Sequence, residues 1–132
     1  MFARGKPYSG RFAALEALDP VEWGAQMSGG FHFVPLADQG AGLFGAALPG
    51  AEDRVWATLP LLEDAHEVAR LKPFARVLAE GQPDEKQTRG RLLIARPFGC
   101  SMVATVNADG LWRWDFRPEV REQGAPYQEF WV

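Results

Sequence analysis

Ser101 to Arg117 reads SMVATVNADGLWRWDFR, two alternating apolar and polar runs that meet at Asp109-Gly110. Asp-Gly between such runs is a strong short-range signal for a β-hairpin closed by a type I′ turn. In that register Asn107, Thr105 and Val103 face Trp112, Trp114 and Phe116, because facing residues of an antiparallel ladder share one side. One face of the hairpin is then aromatic, and the other carries Arg113 and Asp115.

The rest of the chain is read the same way. Asp19-Pro20-Val21-Glu22 has the form of a helix start, with Asp19 as cap, Pro20 at the first helical position and Glu22 completing a capping box. Leu18 and Trp23 sit at staple positions, and Gly29-Gly30 ends this helix after Met27. An earlier turn or helix over Ser9 to Leu18 would set Phe12, Leu15 and Leu18 on one side. Phe31 to Val34 reads as a strand, with further strands around Leu43 to Leu48 and Arg54 to Leu59. From Leu61 the spacing of Leu61, Ala65, Val68 and Leu71 predicts a helix, broken near Lys72 by Pro73, with a second helical piece over Phe74 to Ala79. Gly81 to Gly90 is a polar, turn-rich loop. Arg91 to Arg96 is an apolar strand between arginines, and Tyr127 to Val132 supplies a last strand. The expected fold class is α+β, with residues 1–132 as one domain: a mainly antiparallel sheet of about five to seven strands with two or three helices packed on one face.

Composition narrows the function classes. The chain of 132 residues is 47% hydrophobic, enough for a packed core without a disulfide or metal. Net charge is −3, but Leu15 to Glu67 holds nine acids against Arg54 alone, whereas residues 1–12 and 70–121 lean basic. That asymmetry suits a polar partner surface and falls short of the clustered basic excess of a nucleic-acid footprint. Cys100 is the only cysteine, which excludes an internal disulfide and points to a reducing, cytoplasmic setting. No export or membrane segment is expected, since the uncharged stretch Gln39 to Ala51 is short and glycine-rich.

No motif carries catalysis. Gly40-Ala41-Gly42-Leu43-Phe44-Gly45 matches GxGxxG, but Pro49-Gly50 interrupts the helix that a dinucleotide site needs. His66, with Glu63, Asp64 and Glu67 beside it, has Arg70 where a zincin would have its second histidine, and reads as a solvent-facing helix residue. His32, between Phe31 and Phe33, points outward if the phenylalanines point in. Cys100, near Arg96, has no partner histidine in sequence and reads as structural. No catalytic residue, cofactor or metal is expected.

What remains is an aromatic and arginine surface. The expectation is a non-enzymatic protein-interaction module, an accessory, inhibitory or self-associating (homodimeric) subunit, binding through Arg96, Arg113, Arg117, Tyr127 and Trp131. The second expectation is single-stranded nucleic-acid binding by Arg91, Arg96, Trp112, Arg113 and Trp114, with bases stacked on the tryptophans. The third is a small ligand-binding protein or enzyme in which His66, Glu63 or Cys100 converge.

Overall fold

The computed structural model describes residues 10–36, 58–83, 89–116 and 118. Among these residues six strands form two antiparallel sheets: β1 (Val21–Gln26), β2 (Phe31–Pro35), β3 (His66–Leu71), β4 (Arg76–Pro83), β5 (Gly90–Phe98) and β6 (Ser101–Val106). The four-stranded sheet has the order β2-β4-β5-β6, and β1 pairs with β3 apart from it. The helical content among the described elements is two 3-10 segments, Gly10–Ala17 and Leu111–Phe116.

The α+β expectation, with two or three helices covering one face, is therefore wrong: the described residues form a sheet-rich fold with almost no helix. Each misplaced helix has a physical cause. Asp19 does not cap a helix. It is buried and accepts hydrogen bonds from Trp23 Nε1 at 2.6 Å and Thr105 Oγ1 at 3.2 Å, so its carboxylate ties β1 to β6. The following Val21 to Gln26 pairs with β3 instead, in a register broken by two irregularities. Residues 61–71 carry helical spacing, but Leu62 and Glu63 are used in single bridges and His66 onward in the ladder with β1. The helical preference of such a segment is a weak prior that strand pairing overrides. Phe74 stands at φ 64° in the turn that precedes β4, which ends the proposed second helical piece.

The hairpin also moves. The tight turn lies at Gly99-Cys100, with Phe98 paired to Ser101 and Leu93 to Val106. Gly99 has φ 60° at the first central position, as a type II′ turn requires. Asp109-Gly110 is not a hairpin turn, and Leu111–Phe116 is a 3-10 segment rather than a returning strand. Leu111 and Trp114, three apart, are its buried residues, the repeat of a 3-10 helix rather than the period of two read from the sequence.

The expected strands Phe31 to Val34 and Arg91 to Arg96 match β2 and β5, and the turn or helix over Ser9 to Leu18 matches the first 3-10 segment. The expected strands around residues 43–48 and 127–132 lie outside the described residues, as does most of the one over 54–59.

The core collects on one side of the four-stranded sheet. Phe31, Phe33, Ala79, Leu92 and Leu93 from the strands pack with Leu59, Leu62, Ala65, Ala108, Leu111 and Trp114. Trp114 is fully buried, meets Phe33 edge to face at 5.4 Å between ring centroids, and donates from Nε1 to Pro60 O at 3.2 Å.

One end of the sheet is drawn shut. Leu62 exchanges two backbone hydrogen bonds with Phe31 at the start of β2, at 2.8 and 2.9 Å. Glu63, next in the chain, exchanges two with Asp109, just past β6, at 2.8 and 3.0 Å. β2 and β6 are the two outer strands of the sheet, so residues 62–63 link its opposite edges through backbone bonds.

Candidate interaction site

Past that closure, Leu111–Phe116 presents its other side to solvent. Trp112 is 51% exposed and Phe116 76% exposed, with ring centroids 5.8 Å apart in an edge-to-face arrangement. The Arg113 guanidinium lies over the Trp112 ring, with Cζ 5.5 Å from the centroid. Arg113 Nη1 is 3.5 Å from Glu63 Oε1, an exposed pair. The cation is thus held between an aromatic face and a carboxylate, which fixes a long side chain that would otherwise lose rotamer freedom on binding.

Glu63 also belongs to an adjoining open groove of about 580 Å³, lined by Gln26, Met27, Ser28, Gly29, Gly30, Glu63 and Asp64. Gln26 Nε2 donates to Asp64 Oδ1 at 3.1 Å across it. Asp64 has φ 56°, an uncommon conformation for a residue with a side chain, although Asp tolerates it better than most.

Of the residues expected to bind a partner, the two that are described, Arg96 and Arg113, lie on different elements. Arg113 is on the 3-10 segment, while Arg96 is half-buried on β5 opposite Val103. Arg91 is exposed on β5 opposite Glu80, which also pairs with Arg89 at 3.6 Å. Trp114, counted among the base-stacking residues, is fully buried. Arg117, Tyr127 and Trp131 lie outside the described residues, and so does the GxGxxG stretch.

The groups considered for chemistry are scattered. His66 is not on a solvent-facing helix: it is buried on β3, 6.2 Å from Trp23 edge to face. Its backbone N–H donates to Asn107 Oδ1 at 2.9 Å and its carbonyl accepts from Asn107 Nδ2 at 2.7 Å. Cys100 is exposed at the β5–β6 turn, the far end of β6 from Asn107, about 20 Å away at the rise of a strand. Among the described residues no group of three or more His, Cys, Asp or Glu is placed to hold a metal ion. No helix among them is long and apolar enough to cross a membrane.

Comparison adds no lineage. No protein-family model, no curated protein and no solved structure matches the chain.

Two functional details escaped the sequence reading. Asn107, with no exposure at all, also donates from Nδ2 to Arg91 O at 2.9 Å, so one side chain bonds β3 and β5 together. Its alternation with Thr105 was visible, but its role was not. The second is the unequal fate of Trp112 and Trp114, exposed and buried respectively. Only the three-residue spacing of Leu111 and Trp114 marks that difference.

Proposed function

We propose that this chain is a non-enzymatic protein-interaction module whose contact centre is Trp112, Arg113 and Phe116. The observation that carries it is the exposure of two large aromatic rings beside an arginine already fixed on one of them. Tryptophan and arginine are the side chains most enriched at binding hot spots. Leaving such rings in water costs apolar burial that a monomer would gain by turning them inward, as it does with Trp114. Glu63 and the polar groove beside it supply the rim that surrounds a hot spot. A cytoplasmic setting accords with the single exposed cysteine.

The protein reading is preferred over single-stranded nucleic acid on one ground: burial of Trp114 removes one of the two tryptophans on which bases would stack, and Glu63 offsets the charge of Arg113. The test is affinity capture from the native lysate with the intact chain and with the double variant Trp112→Ala, Phe116→Ala, each with and without nuclease. A stoichiometric protein held by the intact chain, lost with the variant and indifferent to nuclease supports the module. Identical recovery on both baits, or recovery abolished by nuclease, rejects it.

A further inference from the structure

We propose that β6 is a dimerisation edge, adding to β6 of a second copy of this chain to make one continuous antiparallel sheet. This is independent of the Trp112 surface.

β6 is an outer strand of the four-stranded sheet, and no described residue pairs with its far side. Ser101, Met102 and Ala104 are exposed, Met102 at 64%. Edge strands are normally protected by charge, proline or a bulge. Ser101-Met102-Val103-Ala104-Thr105-Val106 has no charge and no proline, and its register with β5 is regular throughout. An uncharged strand sets no like charges against each other when it meets itself, so a second copy fits it.

Symmetry and hydrogen-bond parity fix the register. A closed pair of identical edges joined antiparallel is related by a two-fold axis perpendicular to the sheet, which keeps each face on its own side. The axis must then pass between one residue and its own counterpart, either Val103 or Ala104. Asn107 N donates inward to Leu92 O at 2.7 Å, so residues of the same parity, Thr105, Val103 and Ser101, turn their backbone groups toward β5. Met102, Ala104 and Val106 turn theirs outward. Centring on Ala104 pairs all three with outward groups of the second copy, for about six hydrogen bonds, against about four if centred on Val103. It also sets Met102 against Val106 of the second copy on one face, and Val103 against its Thr105 on the other. We commit to the Ala104 centre.

Only one strand is shared, which places the contact at the small end of specific interfaces, so association depends on concentration in the micromolar range or above. The test uses the full chain of 14.6 kDa in sedimentation velocity across a concentration series. The expected result is a rise in weight-average mass toward twice that value. Ala104→Lys and Ala104→Glu each place like charges across the axis, and each is expected to stay monomeric at every concentration. An equimolar mixture of the two is expected to recover the dimer, because Lys then faces Glu. Ala104 is exposed, and far-UV circular dichroism and a thermal melt check that both variants fold as the parent does. A monomeric parent at all concentrations overturns the proposal. So does a dimer that survives either substitution, or a mixture that remains monomeric.

Discussion

Replacing Asn107 with alanine removes an amide that makes three side-chain hydrogen bonds, two to the main chain of His66 and one to Arg91 O. Asn107 has no exposure and both His66 bonds are buried, so the His66 N–H and C=O are left without partners and without water. Each such group costs roughly 1–3 kcal/mol. The bond to Arg91 O is only partly buried, and water replaces it at smaller cost. The expected loss is about 3–5 kcal/mol, a large share of the roughly 5–15 kcal/mol that holds a domain of this kind together. At roughly 3–5 °C per kcal/mol for a chain this long, Tm falls by more than about 10 °C. Scanning calorimetry and urea titration measure it. Asn107→Asp keeps the acceptor for His66 N–H but turns both donors into an oxygen facing two carbonyls, so it is expected to be no better than alanine. A loss below about 1 kcal/mol for Asn107→Ala, or an aspartate variant as stable as the parent, would refute the claim that this amide clips β3 to β5.

Further outcomes follow from packing. Trp114→Ala is expected to cost about 3–5 kcal/mol, whereas Trp114→Phe keeps most of the packing and loses chiefly the bond to Pro60 O; equal losses in chemical denaturation would contradict this. A Cβ added at Gly81 would lie 3.0 Å from Leu92 Cγ, Leu92 Cδ1 and Phe31 Cβ. Gly81→Ala is therefore expected to lose about 1 kcal/mol or more despite its gain in the unfolded chain, and a stabilised variant in a thermal melt would show that the core yields there. The double change Trp112→Ala, Phe116→Ala is expected to leave stability within about 0.5 kcal/mol, because both rings are more than half exposed; a large drop in Tm would assign the rings to the fold rather than to a partner.

Apolar runs were the dependable signal. β2 and β5 were legible because Phe31 to Val34, apolar but for His32, and Leu92 to Ala95 are short stretches bounded by glycine, proline or charge. β3 was not, since Leu61, Ala65, Val68 and Leu71 satisfy helical spacing while the segment is divided between single bridges and a ladder formed with residues about 45 positions earlier. Asp19-Pro20 misled for a related reason: a good local cap was spent on Trp23 and on Thr105, far along the chain. At the candidate site, Trp112, Trp114 and Phe116 fit a strand at period two as well as a 3-10 turn at period three. Six residues are too few to separate the two, and burial of Trp114 against Phe33 decides it only in the folded molecule.

The backbone closure at residues 31, 62–63 and 109 bears on how the chain folds. Its bonds join points separated by 31 and 46 positions, so loop entropy must be surrendered before either pair of hydrogen bonds forms. The last contributor, Asp109, comes after all six strands. During synthesis the sheet can begin to pair strand by strand, yet its ends cannot be joined until Asp109 has emerged, and Trp114 seals the interior only after that. A chain stopped after Val106 would hold every described strand while lacking Asn107, Asp109 and Trp114, and is expected to linger as an open, aggregation-prone sheet.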